Sequence, residues 1–189
     1  MTPHAEAFER CIAAGGVVVF GADTVYGLAC DPESPDAVAR LYALKGRAAE
    51  KSSALMFFDA ERALAAHPDL GPRTREALRR LLPGPVTVVL ASGGLRVPRV
   101  ERDHPLHDLP RPVLQSSANR AGAPEARQLE DVDRAILAGA DLVLDAGELP
   151  GTASTVVDLR RYEQRGEWKV IRLGALGLGT LEGELRSSG

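Results

Sequence analysis

The sequence predicts a single α/β domain in which helices flank one twisted sheet, and three observations predict it. Short β-branched or apolar runs alternate with segments of helical periodicity along the chain, the pattern of a sheet covered by helices. At 189 residues the chain is long enough for one well-cored domain and short for two. No repeat, low-complexity block or convincing linker divides it.

The elements follow in order. Phe8, Cys11 and Ile12 fall at i, i+3, i+4 and predict an amphipathic helix over 5–14, stopped by Gly15-Gly16. Val17 to Phe20 is a β-branched run and reads as a buried strand, and a second apolar stretch runs from Val25 to Cys30. Ser34 offers an N-cap with Pro35 at the first helical position and Asp36 beside the positive helix end. That helix buries Val38, Leu41 and Tyr42 and ends near Leu44. A strand over 54–58 and a short helix over 61–66 come next. The helix over 73–82 turns Leu78, Leu81 and Leu82 inward and is broken by Pro83-Gly84-Pro85. Strands are expected over 86–90 and 112–115, separated by an irregular stretch, 92–111, rich in Pro, Arg and His. Leu129, Val132 and Ile136 mark one helix ending at Gly139, and strands are expected over 141–144, 154–157 and 168–172. Domain 1–175 is then complete, and 176–189 reads as a flexible, Gly-rich tail.

Composition narrows the function. Hydrophobic residues make up 44% and charged residues 26%, ordinary values for a soluble globular chain. No apolar run approaches the ~20 residues that span a bilayer, so no membrane partner is expected. Met1 to Arg10 carries Glu6 and Glu9 without an apolar core, which does not read as a secretory signal. The expected address is cytoplasmic, with Cys11 and Cys30 as small buried hydrophobes. A net charge of −3 argues against a protein that coats nucleic acid. Charge is uneven, however: 72–127 holds 10 arginines against 5 acids. Arg73, Arg75, Arg79 and Arg80 among them read as the solvated face of one helix.

Familiar nucleotide signatures are absent: there is no GxxxxGK[ST] loop and no GxGxxG between a strand and a helix. His104 and His107 lie in a Pro-broken loop that lacks the helix needed to aim both rings at a metal, so no metal site is expected. What stands out is a set of polar clusters, each at the end of an apolar run. They are Asp23-Thr24 with Tyr26, Lys45-Gly46-Arg47, Ser116-Ser117-Ala118-Asn119, Ser154-Thr155 and Arg172-Leu173-Gly174. Singly, each reads as a turn, a cap or a surface charge. Together, cations, hydroxyls and an amide at strand ends suit a polyphosphate and an amino acid.

These segments carry a resemblance to the threonylcarbamoyl-AMP synthase family, whose domain is called YrdC-like. The family's P-T-[DE]-T-x-Y-G-L segment corresponds to Gly21 through Leu28, and its K-x-R motif to Lys45-Gly46-Arg47, followed by Lys51. P-G-P-x-T is Pro83 to Thr87, R-V-P is Arg96-Val97-Pro98, and D-H-P is Asp103-His104-Pro105. S-x-N is Ser117-Ala118-Asn119, S-T-V-V-D is Ser154 to Asp158, and R-x-G is Arg172-Leu173-Gly174.

The resemblance implies a mixed, twisted seven-stranded sheet flanked by helices, with a basic cavity on one side. It implies the formation of threonylcarbamoyl-AMP and pyrophosphate from L-threonine, bicarbonate and ATP, with Mg2+ accompanying the nucleotide. The product serves threonylcarbamoyladenosine (t6A) modification of tRNA, so RNA contact and a transient contact with the downstream threonylcarbamoyl transferase come within what it implies. By the same carry-over Lys45 and Arg47 are the catalytic cations. Lys51, Arg96, Ser117, Asn119 and Arg172 bind ATP, and Thr24, Tyr26, Ser154 and Thr155 shape the threonine pocket. The alternative is a YrdC-like paralogue that binds nucleotide or double-stranded RNA without this activity.

Some positions depart from the family pattern. Gly21-Ala22 replaces Pro-Thr, Ser52 replaces a proline, and Met56 stands where many relatives have histidine. The stretch between Leu90 and Ser117 is shorter than usual, which predicts a missing wall on one side of the cavity.

Overall fold

Helix α1 (Pro3–Ala13) begins where sequence chemistry places it: the Thr2 hydroxyl accepts from the Ala5 N–H and proline occupies the first turn. It buries Ala5, Phe8 and Ile12. The computed structural model describes residues 2–46, 53–101, 104, 106–107 and 109–186. Strands β1 (Val18–Gly21) and β2 (Tyr26–Cys30) form an antiparallel hairpin. Ser34 then caps α2 (Pro35–Leu44). Next come β3 (Ala54–Met56), α3 (Ala60–Ala65) and α4 (Pro72–Leu81), followed by β4 (Val86–Leu90), β5 (Gly93–Arg96) and β6 (Val113–Ser117). A 3-10 turn (Leu129–Asp131), α5 (Arg134–Gly139), β7 (Leu142–Val143), β8 (Thr155–Asp158), α6 (Tyr162–Arg165), β9 (Lys169–Arg172) and α7 (Leu178–Arg186) complete the order.

The strands make one mixed sheet in the order β7-β1-β2-β6-β3-β5-β4-β8-β9. Pairs β1–β7, β3–β5 and β4–β8 are parallel and the rest antiparallel. Among the described residues the sheet has nine strands, not seven. One of them, β5, lies inside the stretch read as irregular, because Gly93-Gly94 carries no side-chain alternation to betray a strand. Another, β7, is a two-residue edge.

Alternation along each strand divides the residues between two faces. One face is covered by α2 and α5 over Val17, Val19, Tyr26 and Leu28, and by α3, α4 and α7 over Val86, Val88, Leu95 and Val157. The other face is packed at one end by α1, where Phe8 meets Phe20 and Phe58 edge-on at centroid distances of 5.4 and 6.1 Å. The rest of that face is open to a cavity.

Two expectations about helices need correction. The helix over 129–139 is a 3-10 turn and a separate α5, because the Asp133 carboxylate caps a new start by accepting from the Ala135 N–H at 2.7 Å. The flexible tail is a helix: α7 buries Leu181 and Leu185 in the core shared with α4, and the Tyr162 hydroxyl donates to the Leu185 carbonyl at 2.6 Å. Its Gly content hid the i, i+4 leucine pair. Among the described residues no helix is long and apolar enough to cross a membrane.

Candidate active site

A cavity of about 690 Å³ lies over the part of the sheet that α1 leaves uncovered. Its floor is the matching face of neighbouring strands: Gln115 and Ser117 from β6, Met56 from β3, Arg96 from β5, Thr87 and Val89 from β4, and Val156 from β8. The walls are loops, 22–25 before β2, 119–125 after β6, and 153–154 before β8. Thus the strand-end clusters separated in sequence by more than a hundred residues share one chamber.

Thr24 and Arg96 meet first. The Arg96 guanidinium donates from Nη2 to the Thr24 hydroxyl at 2.8 Å and pairs with the Asp23 carboxylate, both charged side chains being almost wholly buried. Asp23 also accepts from the Arg99 N–H at 3.0 Å, so the ion pair fixes the loop that carries Thr24. Ser154 stands beside Thr87, their hydroxyls 2.9 Å apart. Arg172 donates to the Ser154 carbonyl at 2.9 Å and approaches Glu125 at 3.7 Å.

Lys45 differs from a solvent-facing cation. It is 2% exposed at the end of α2, and its ammonium donates to the Ser117 carbonyl and, at 2.9 Å, to the Asn119 carbonyl. It therefore holds the turn bearing the S-x-N segment. Within that turn the Ser117 hydroxyl donates to Asn119 Oδ1 at 2.6 Å, and Asn119 Nδ2 donates to the Ala123 carbonyl at 2.6 Å. Arg47 and Lys51, the other cations of the K-x-R region, lie outside the described residues.

Two expected threonine-pocket residues are not in the cavity. Tyr26 is fully buried on the opposite face, where its hydroxyl lies 2.9 Å from both Asp145 Oδ1 and the Gly147 carbonyl and accepts from the Ala146 N–H at 2.8 Å. Burial, reinforced by the Asp145 carboxylate against the opposing Ala146 N–H, pushes this phenol up to about 12. Asp145 in turn is held below the usual carboxylate range by the Gly147 N–H and the Tyr26 hydroxyl. Thr155 is also fully buried; its hydroxyl donates to the Leu176 carbonyl at 2.6 Å and accepts from the Gly174 and Leu176 N–H groups. Both side chains hold neighbouring backbone and neither lines the cavity.

Sequence reasoning missed other lining residues. Arg120 follows the S-x-N segment directly and Thr87 closes P-G-P-x-T, so both could have been found beside motifs already marked. Glu125 has no such signal. The described lining residues include four cations, Lys45, Arg96, Arg120 and Arg172, against one carboxylate, Glu125. Four buried side-chain atoms among the described residues have no hydrogen-bond partner, and three of them, Ser53 Oγ, Arg96 Nε and Glu125 Oε2, belong to cavity residues. Buried polar groups are normally satisfied, so this concentration sets the cavity apart from the rest of the described structure. The replacement of Pro-Thr by Gly21-Ala22 also has a local cause. A Cβ at Gly21 would collide with Ala146 and come within 3.1 Å of Leu149, so the loop held by Tyr26 packs directly on this backbone.

The thiols of Cys11 and Cys30 are free. Burial pushes Cys30 up to about 12, leaving it chemically inert at neutral pH. Leu106 donates its N–H to His104 Nδ1 at 3.1 Å, while Asp103 and Asp108 lie outside the described residues.

Comparison with known proteins gives the family and the fold. The Sua5/YciO/YrdC family model, described as "Telomere recombination", matches residues 10–174. The threonylcarbamoyl-AMP synthase of Stutzerimonas stutzeri is 36% identical over 172 residues, covering 82% of this chain and 91% of its own. That of Cellvibrio japonicus is 32% identical over 149 residues, covering 71% and 79%. The solved structure of Pyrococcus abyssi Sua5 complexed with L-threonine superposes with a TM-score of 0.82 at 26% identity, covering 95% of this chain and 56% of that one. Escherichia coli YciO gives a TM-score of 0.78 at 22% identity, covering 94% and 92%, a likeness of fold.

Proposed function

The chain belongs to the Sua5/YciO/YrdC family, and from that premise we propose that it makes threonylcarbamoyl-AMP and pyrophosphate from L-threonine, bicarbonate and ATP. The observation that carries this reading is the convergence of Thr24, Arg96, Lys45, Ser117, Asn119, Ser154 and Arg172 on one cavity. A volume of about 690 Å³ suits a nucleotide with a small acid beside it.

The chemistry proceeds in two additions. The threonine amine forms a C–N bond to bicarbonate, and loss of water gives the N-carboxy amino acid. A carboxylate oxygen of that group then bonds to the α-phosphorus of ATP as the bond to the bridging oxygen breaks, and pyrophosphate leaves with the electron pair. Neither step needs a covalent enzyme intermediate, so the protein contributes orientation and fixed positive charge. Thr24, which accepts one hydrogen bond from Arg96, keeps its proton to offer the amino acid. The Ser154–Thr87 hydroxyl pair lines the same compartment. Ser117 and Asn119 face the phosphate region on a turn fixed by Lys45, with Arg47 and Lys51 assigned beside them from the K-x-R pattern. Arg172 closes the nucleotide end.

Magnesium would be held mainly by the nucleotide phosphates, and the donor set fits that: one carboxylate, Glu125, has an oxygen without a partner and would supply a single ligand. When bound it offsets phosphate charge. The proposed setting is cytoplasmic, and the mixed anhydride produced calls for a transferase that delivers it to tRNA.

Pyrophosphate release from ATP, measured with threonine and bicarbonate omitted in turn, tests the reading. Release should require all three substrates. Release indifferent to threonine removes the synthase assignment, and tight, salt-dependent RNA binding without turnover would favour the non-catalytic paralogue.

A further inference from the structure

The cavity's described cations differ in how far their N–H groups are already committed. Lys45 is buried and donates to two backbone carbonyls. Arg96 is 4% exposed, paired with Asp23 and bonded to Thr24. Arg172 donates to the Ser154 carbonyl and faces Glu125. Arg120 alone of these has a guanidinium with no hydrogen bond among the described residues; its backbone carbonyl accepts from the Ala123 N–H at 3.0 Å. Among the described residues its one ionic neighbour is Asp133 at 4.0 Å, with the two side chains 57% and 35% exposed. An ion pair this long and this wet holds a guanidinium weakly.

The surroundings leave Arg120 room to act. It follows Asn119 directly, so its backbone is anchored by the turn that Lys45 pins, and the Ala121 N–H donates to the Lys45 carbonyl at 3.2 Å. Its guanidinium lies over Gly46, the middle residue of Lys45-Gly46-Arg47. There φ is +61°, which favours glycine, and a Cβ would stand 3.5 Å from Arg120 Nη2. The side chain thus rests against bare backbone, on a fixed stem, with an uncommitted fork of donors.

Resting on the synthase reading above, we propose that Arg120 is the cation that grips the β- and γ-phosphates of ATP and follows them as departing pyrophosphate. A triphosphate brings more negative charge than the cavity's buried cations can meet, because those are engaged with protein atoms. An arginine fork matches two phosphate oxygens at once. A half-exposed cation with a weak partner can also move outward with a leaving anion, which Lys45 and Arg96 cannot do without orphaning their own partners.

The test is calorimetric binding of pyrophosphate, ATP, AMP and threonine to the wild-type protein and to R120A, R120K and D133N. R120A should weaken pyrophosphate and ATP by about tenfold to a hundredfold, the value of one charge-assisted contact. AMP, which lacks the β- and γ-phosphates, and threonine should bind as before. R120K should recover part of the loss. D133N keeps an α5 cap yet removes the competing charge, so pyrophosphate should bind as tightly as to wild type or more so. Unchanged pyrophosphate affinity in R120A, an equal loss of AMP, or a D133N variant that copies R120A would each overturn the inference while leaving the synthase reading intact. A wild-type protein that binds neither ATP nor pyrophosphate would overturn both.

Discussion

Lys45 shows how a residue marked by a sequence motif can carry a structural task that the motif does not announce. Its place in the K-x-R pattern suggested a cation facing substrate, whereas its ammonium lies among the carbonyls of Ser117 and Asn119. Replacing Lys45 by Met keeps the stem and removes the donors. Leaving buried carbonyls short of a partner costs about 1–3 kcal/mol each, so K45M should lower the denaturation midpoint as well as ATP affinity. A loss of affinity with unchanged stability would return Lys45 to direct substrate contact. Tyr26 and Thr155 were misplaced for one reason, strand alternation. Gly27 and Ser154 face the cavity, so the residues next to them face away. Sequence shows which residues are adjacent but not which face of the sheet they take. Ser117, Asn119, Ser154, Thr24 and Arg172 were legible as cavity residues because hydroxyls, an amide and a cation stood together at the ends of apolar runs, and Arg96 because it opens the R-V-P segment. Glu125 was not, since a single acid in a loop resembles any other.

Elements whose apolar period was uninterrupted were legible to within a residue or two: α1, α2, α4, β1, β2, β4 and β6. Those punctuated by glycine were not. Gly93-Gly94 concealed β5, and the glycines around Leu178 concealed α7. The C-terminal helix is a structural member: Leu181 is fully buried against the cluster that includes Leu78, Val88 and Tyr162. Leu181→Ala should destabilise the protein by about 2–5 kcal/mol, the usual range for a leucine truncated in a packed core. Urea denaturation measures it. A change under about 0.5 kcal/mol, typical of surface sites, would mean that 178–186 behaves as the loose tail first expected.

At the scale of the molecule, acid stability follows from carboxylates held in their charged form. Asp145 is depressed by the Gly147 N–H and the Tyr26 hydroxyl, and Asp158 by the Arg160 guanidinium. A group whose folded pKa is lowered contributes stability above its unfolded value, near 3.9 for aspartate, and loses it as pH falls through the folded value. D145N and D158N should therefore be less stable than wild type at neutral pH, with the gap closing below about pH 4. Thermal melts from pH 7 to 2 would show it; a gap that persists at pH 2 would assign the loss to geometry instead of charge.

The core beneath β4, β5 and β8 gathers residues from Phe57 to Leu185. A nascent chain emerging from the ribosome therefore exposes that greasy surface until α7 is free to dock. Chains stalled before residue 178 should stay open to proteases and call on chaperones, however complete their catalytic residues already are.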